Sequence, residues 1–235
     1  MNIALVLSGG TGTRLGGDIP KQYIKVNGQM LISFCLKMFS EHENVDGIWI
    51  VAAKEWQQAI SEEAKRLGIY DSILGYSLPG KNRQLSIYNG LLGIREYFDN
   101  ATSDKVVIVH DAARPNLTAE FTDRCLEALL GYDGVMPTLP MKDTVYYSKT
   151  GISVDRLLER ERIFAGQAPE VFKLDEYIKA NERLLPEDIL KINGSTEPAI
   201  MAGMKIAMIT GDEKNYKVTT KNDLEKFMLE QENNK

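Results

Sequence analysis

Cysteine is scarce in this chain. Of 235 residues only Cys35 and Cys125 carry a thiol. Both stand among apolar residues at helical spacing, the setting of small buried hydrophobes and not of a disulfide framework or a CxxC metal site. Histidine is equally rare, with His42 and His110 alone, which excludes a histidine-rich metal centre. No run approaches the roughly eighteen apolar residues of a membrane-spanning helix. The N-terminus lacks a basic stretch followed by a long apolar one, so no signal peptide is expected and a reducing, cytoplasmic setting is the default. Positive charge is not in excess: 28 Lys and Arg against 33 Asp and Glu leave a formal charge of -5. That balance argues against a general binder of nucleic acid or of membrane surfaces, so cationic chemistry has to be local. Internal repeats, low-complexity segments and long linkers are also missing, and a single domain over 1–235 is expected.

A hydrophobic fraction of 43% supplies a sizeable core. Short apolar runs alternate with longer helical ones. IALVL (3–7), GIWIVAA (47–53), VVIVH (106–110) and GVMPTLP (134–140) read as buried strands, and SILGY (72–76) as a weaker one. Between them, Leu31, Phe34, Cys35 and Met38 recur at helical spacing. So do Trp56, Ile60 and Leu67, then Leu85, Tyr88, Leu92 and Ile94 within 84–98, and finally Phe121, Cys125 and Leu129, with Thr118 as cap. This alternation predicts an α/β protein: a mostly parallel sheet with helices on both faces. After Pro140 the rhythm changes. VYYS (145–148) and a segment near Ile152 suggest a hairpin or arm. A helical run near 174–185, late strands at MKIAMIT (204–210) and YKVT (216–219), and a C-terminal helix from KNDLEKFMLE complete the reading.

The first strand runs into SGGTGTRLGGDIPKQY. Glycines there let backbone N–H groups approach an anion closely, and in open α/β sheets ligands bind beyond the carboxyl ends of the strands. The loop is not a Walker A loop, which needs GxxxxGK[ST]. It is not a dinucleotide fingerprint either, since Leu15 stands where GxGxxG needs glycine, and that weighs against an NAD-dependent oxidoreductase. Arg14 and Lys21, seven residues apart, are the informative pair. A bidentate fork and a point charge beside a glycine loop suit a triphosphate whose outer groups leave as pyrophosphate.

The run LSGGTGTRLGGDIPKQY resembles the signature of the polyol-phosphate cytidylyltransferases, of the 2-C-methyl-D-erythritol 4-phosphate and ribitol 5-phosphate type. The short gap between Arg14 and Pro20-Lys21 favours this group over the sugar-1-phosphate nucleotidyltransferases. Further matches follow in order: GKNRQLSIYNGL (80–91), VIVHDAARP (107–115), MKDTV (141–145), GQAPEVF (166–172, against Q-T-P-Q-x-F) and NYKVTTKNDL (215–224). They span about residues 3 to 225.

The resemblance implies a Rossmann-like nucleotidyltransferase fold with a protruding β-arm, and transfer of CMP from CTP to a polyol phosphate with release of pyrophosphate. It implies Mg²⁺ as cofactor and a homodimer, with no nucleic-acid or membrane partner. Arg14, Lys21 and Lys217 would stabilise charge on the triphosphate. Ser8, Gly9 and Gly10 would line the nucleotide, Ala112 would pack by the ribose, and Gly80 and Ser86 would read the cytosine edge, with Arg83 organising that loop. Asp111 would hold Mg²⁺ and touch the acceptor. Arg114 would either anchor the acceptor region or form a scaffold ion pair. His110 would be structural, because such a reaction asks mainly for positioning and charge neutralisation. Residues 141–165 would form an arm reaching a twofold partner, with Thr144 and Arg160 on the acceptor phosphate and Arg162 as an alternative to Arg160.

Three departures stand out. Ala168 replaces the threonine of T-P-Q, Lys81 follows the base-loop glycine where aspartate is common, and INGSTEP (192–198) replaces a T-D-E segment. Ser195, Thr196 or Glu197 would substitute there only with a shift in register. The two acceptor-side changes leave the acceptor open among 2-C-methyl-D-erythritol 4-phosphate, ribitol 5-phosphate and a glycerol phosphate destined for a surface polysaccharide. Two other readings stand beside this one: a sugar-1-phosphate nucleotidyltransferase using UTP or dTTP, and a catalytically silent nucleotide-binding homologue.

Overall fold

A computed structural model describes residues 1–10, 19–101 and 104–233. Strand β1 (Asn2–Leu7) is central, and Ile3 to Val6 are fully buried, because the run has no polar residue to give to solvent. A small hairpin, β2 (Lys25–Val26) and β3 (Gln29–Met30), turns through Asn27-Gly28 and leads into α1 (Leu31–Ser40). Then come β4 (Gly47–Val51), α2 (Lys54–Leu67), β5 (Ile73–Ser77), α3 (Arg83–Tyr97), β6 (Val106–Asp111), α4 (Ala119–Glu127) and β7 (Gly134–Pro140). After β7 follow β8 (Tyr146–Tyr147), β9 (Arg156–Leu157), β10 (Phe164–Gly166) and β11 (Glu170–Lys173). Helices α5 (Leu174–Glu182) and α6 (Glu197–Met201), β12 (Ile206–Thr210) and α7 (Lys221–Asn233) end the chain.

The main sheet runs β10-β7-β11-β6-β1-β4-β5, with β12 also on β7. β1, β4, β5 and β6 pair in parallel, as does β12 with β7, whereas β11 lies antiparallel between β6 and β7. The sheet is thus mostly parallel with an antiparallel insertion. Alternate side chains of each strand serve opposite faces. Ala4, Val6, Ile48, Ile50 and Ile108 pack on Cys35, Phe39, Ile60, Phe121 and Cys125 of α1, α2 and α4. Ile3, Leu5, Val107, Val109 and Phe172 pack on Ile87, Leu91 and Ile94 of α3 and Tyr177 of α5. Each such large side chain contributes about 1.5–3 kcal/mol on burial. Both cysteines lie in these cores, where burial pushes their thiols up to about 12, so they are inert as expected.

Thr118 caps α4, accepting a hydrogen bond from Phe121 N at 3.2 Å. Helix α3 forms as expected, with Ile87, Leu91 and Ile94 on the sheet and Leu85, Tyr88 and Leu92 on a satellite cluster with Leu184, Ile189 and Ile192. Two expectations need correction. Ile152 is no strand residue; it sits 94% exposed in the turn between β8 and β9. Residues 216–219 form no strand, because Val218 instead docks across the sheet end, its N–H donating to Ala113 O at 2.8 Å.

Register sets the site. Leu7 is level with Val51 of β4 and with Asp111 of β6. The loops that follow β1, β5 and β6 therefore open at one edge of the sheet. Past the carboxyl end of β7, on the β10 side of the sheet, Met141 N donates to Ile163 O at 3.1 Å, closing the base of the β8–β9 hairpin before β10 returns along β7.

Candidate active site

At the carboxyl edge a cavity of about 460 Å³ is lined by Leu7, Gly9, Gly10, Lys21, Gln22, the loop 80–83, Ser86, Asp111, Ala112, Ala113 and Lys217. Close approach dictates two of the glycines. A Cβ on Gly9 would meet Pro79 Cβ at 2.4 Å, and one on Gly80 would meet Leu85 Cβ at 2.6 Å. Gln22 fixes the first loop by its carbonyls, its Nε2 donating to Ser8 O at 2.8 Å and Gly10 O at 2.6 Å. Tyr23, stacked on Trp56 at 4.3 Å, donates its hydroxyl to Ser8 O. At the second loop, Ser86 Oγ accepts from Gly80 N at 3.0 Å and donates to Asn82 O at 2.8 Å. Asn82 caps α3 by accepting from Leu85 N.

Asp111 ends β6 inside a ring of cations. Arg83 donates to its Oδ1 from Nε at 3.3 Å and from Nη2 at 3.1 Å. Lys217 Nζ reaches Oδ2 at 2.9 Å, and Arg114 Nε lies 3.5 Å from the same atom. Burial alone would raise the carboxyl, but Arg83, Lys217 and Arg114 reverse this and hold it well below the usual carboxylate range. Burial also works against the charge of Arg83, yet Asp111 and Glu170 outweigh it and keep its guanidinium above its ordinary value. For Arg114 burial outweighs Asp111, and its value falls, though a guanidinium stays charged at neutral pH all the same. Lys21 Nζ donates to Val218 O at 2.6 Å and so ties the first loop to the segment that carries Lys217.

The cavity gathers Gly9, Gly10, Lys21, Gly80, Arg83, Ser86, Asp111, Ala112 and Lys217 as the sequence implies. Arg14 lies outside the described residues. Ser8 is no wall residue: its hydroxyl points inward and donates to Tyr23 OH at 2.9 Å. Arg114 does not line the cavity either; it braces Asp111 and donates to Asn215 O at 2.8 Å, the scaffold alternative. Thr144 and Arg160 come together, but in a separate cavity of about 380 Å³ on the arm, with Leu157, Leu158, Glu159 and Glu161. Arg160 donates to Lys142 O at 3.0 Å, and Arg162 is an exposed partner of Glu159 at 3.0 Å. None of Ser195, Thr196 and Glu197 lines either cavity. The first two are buried against Glu170, and Glu197 accepts from Asn193 N. Ala168 is buried, its carbonyl accepting from Asn215 Nδ2 at 2.7 Å.

His110 is sealed beneath Asp111 with Nε2 3.0 Å from Arg114 O, and burial lowers it to about 4. It is neutral at physiological pH and faces no cavity, in keeping with a structural role. Sequence reasoning missed Gln22, Asn82 and Glu170. Gln22 lies inside the quoted PKQY, and Asn82 stands three residues before Leu85 at the start of a helical run, a capping signal. Glu170 carried no signal beyond its place in a matched motif.

A glycine loop, a carboxylate at the end of a parallel strand and cations from three distant parts of the chain, on a Rossmann-like sheet, define a nucleotidyltransferase. Residues 2–231 match the family model "IspD: 2-C-methyl-D-erythritol 4-phosphate cytidylyltransferase", and the chain belongs to that family. It is 32% identical to the 2-C-methyl-D-erythritol 4-phosphate cytidylyltransferase of Thermotoga neapolitana, over 96% of this chain and 94% of the relative. It shares 32% identity with that of Lachnospira eligens over 96% of each. The fold matches a 4-diphosphocytidyl-2C-methyl-D-erythritol synthase structure from Anaerococcus prevotii with a TM-score of 0.80 at 23% identity, over 98% of this chain and 96% of that one. It matches the Francisella tularensis 2-C-methyl-D-erythritol 4-phosphate cytidylyltransferase with a TM-score of 0.77 at 27% identity, over 96% and 97%.

Proposed function

We propose that this protein transfers CMP from CTP to 2-C-methyl-D-erythritol 4-phosphate, releasing pyrophosphate and forming 4-diphosphocytidyl-2-C-methyl-D-erythritol, a step of isoprenoid biosynthesis. The carrying observation is the Asp111 cavity, where Lys21, Arg83 and Lys217 converge with the glycine loop on one family scaffold. An oxygen of the acceptor phosphate attacks the α-phosphorus of CTP, and the bond to the β-phosphate oxygen breaks. Lys21 and Lys217 neutralise charge that grows on the triphosphate, and Gly80 and Ser86 hold the base. No protein base is required, in keeping with a buried neutral His110.

Asp111 offers one ionised carboxylate on the cavity wall, and the described residues contain no cluster of three His, Cys, Asp or Glu. Magnesium is commonly held by one or two carboxylates together with substrate phosphates, so the donor set fits such an ion, and Asp111 is the residue that would hold it. When bound, Mg²⁺ would supply further charge neutralisation on the phosphates.

The two departures on the acceptor side weigh less than their motifs suggest. Ala168 and the Ser195-Thr196 pair are buried away from both cavities, so they give no ground for a different acceptor. We read the arm as the acceptor clamp of a homodimer, lending Thr144 and Arg160 to a second copy. Support comes from their separation from the Asp111 cavity and from the exposed apolar side chains of Tyr146, Ile152 and Leu157. No helix among the described residues is long and apolar enough to cross a membrane, and we read the enzyme as acting in the cytoplasm.

The test is pyrophosphate release with CTP and Mg²⁺ against 2-C-methyl-D-erythritol 4-phosphate, ribitol 5-phosphate and glycerol 2- and 3-phosphates. Turnover with the first alone supports the reading. Turnover with UTP and not CTP, a winner elsewhere in the panel, or CTP binding with silence throughout would overturn it.

A further inference from the structure

A second carboxylate stands behind the cavity and takes no part in the chemistry above. Glu170 opens β11, level with Val109 of the neighbouring β6, and is only 7% exposed. The family motif quoted for this stretch has glutamine at its place. Both oxygens of Glu170 accept hydrogen bonds from hydroxyls: Oε1 from Thr196 Oγ1 at 2.7 Å and Oε2 from Ser195 Oγ. A serine hydroxyl has one proton to give. Since that proton goes to Glu170, the oxygen is left as an acceptor, and Arg83 Nη1 donates to it at 2.7 Å. The result is a directional chain from Arg83 through Ser195 to Glu170.

Arg83 is therefore gripped on two edges. Its Nε and Nη2 hold Asp111, and its Nη1 holds the Ser195–Glu170 chain, with Glu170 Oε2 also 3.9 Å from Nη2. The two grips differ in exposure to ligand. Asp111 lines the cavity and is shared with Lys217 and Arg114, so incoming phosphates compete for its partners. Ser195, Thr196 and Glu170 line neither of the two cavities described above, and all three are buried among the described residues. Burial raises the Glu170 carboxyl against the pull of Arg83 and the two hydroxyls, so an ionised carboxylate is costly here, as expected of a group kept for placement more than for stability.

We propose that Glu170 is a positioning residue which, acting through Ser195, keeps Arg83 on the cavity wall independently of Asp111, so that the nucleotide meets a guanidinium already in place. This rests on the reading of the cavity as a CTP site. Glutamine at this position must turn its NH₂ toward one of the two hydroxyls and so breaks the chain or unbalances it.

The experiment measures Kd for CTP by calorimetry, kcat and both KM values for wild type, Glu170→Gln, Ser195→Ala and the double variant, with thermal melts as the check on folding. Each single change is expected to weaken CTP binding and raise its KM about 5- to 10-fold, while kcat and the acceptor KM move by less than about twofold. The double variant is expected to resemble either single one, because both interrupt one chain. Unchanged CTP affinity in a folded variant, multiplying effects in the double, or equal effects on both substrates overturns the proposal. Ser195→Ala carries the test if Glu170→Gln does not fold. Normal wild-type turnover with unaffected variants would sink this inference alone, whereas a wild type that binds no CTP sinks the reading of the site with it.

Discussion

Asp111→Asn keeps the shape of the side chain at the centre of the site and deletes its charge. Arg83 at 3.1 Å, Lys217 at 2.9 Å and Arg114 at 3.5 Å then converge without their shared counter-charge. Removing one partner of a buried ion pair costs about 3–5 kcal/mol. Two of the cations are about one-third exposed, 33% for Arg83 and 34% for Lys217, and solvent screens part of that loss. A cost of about 2–3 kcal/mol is therefore expected, which at about 2–4 °C per kcal/mol for a chain of this size lowers the melting temperature by about 4–12 °C. The same deletion makes the cavity a better anion site when no metal is present. Inorganic tripolyphosphate, added with a chelator in a thermal-shift assay, should raise the melting temperature of the variant more than that of the wild type. A variant that melts with the wild type, or that gains no more than the wild type from tripolyphosphate, refutes the account of Asp111 as the hub that balances these cations.

Lys21→Ala should lower kcat by about 10²–10³-fold with its melt near wild type; near-normal turnover removes its charge-stabilising role. Arg160→Ala should raise the acceptor KM far more than the CTP KM, and equal effects would contradict its place in the acceptor clamp. Gly80→Ala puts a methyl 2.6 Å from Leu85 Cβ and 2.8 Å from Leu85 backbone carbon. It should cost about 1–3 kcal/mol of stability and raise the CTP KM, so an unaltered melt and KM would show the loop to be slack. His110 is held near 4 in the fold against an ordinary 6.5, so the unfolded chain takes up the proton first as pH falls. The stability it lends is complete above about pH 6.5 and is lost progressively down to about 4, on the order of 2 kcal/mol by pH 5. His110→Gln should flatten the pH dependence of urea unfolding between pH 7.5 and 5, and matching slopes would exclude this titration.

Much of this architecture is legible because its cause is local. The strands at 3–7, 106–110 and 134–140 are apolar runs with no polar escape, and Thr118 caps its helix by chemistry that a short window displays. What escaped depends on distant chain. β11 reads as part of a motif and becomes an antiparallel strand only because β6 and β7 leave a slot between them. YKVT has a strand-like composition, yet Val218 is captured by Ala113 and Lys21 across the sheet end. The Asn27-Gly28 turn, with φ of 50° and 81°, is a hairpin signal of the local kind, although the strands it joins are only two residues each. In the site, residues that touch the cavity directly were readable from motif frames. Ser8, by contrast, sits in the right motif while its hydroxyl serves Tyr23, and the braces behind the wall, Glu170 above all, are fixed by partners about 25 and 85 residues away that no local pattern names.

The hydrogen bond from Met141 to Ile163 makes the two ends of the arm neighbours. A segment whose ends meet is a cassette: it can be lengthened, trimmed or exchanged without altering the order of the strands on either side. Selection can therefore rework what lies at the tip while the machinery at the carboxyl edge stays fixed. A graft of residues 142–162 between relatives is the natural unit in which such a change would be inherited, or engineered.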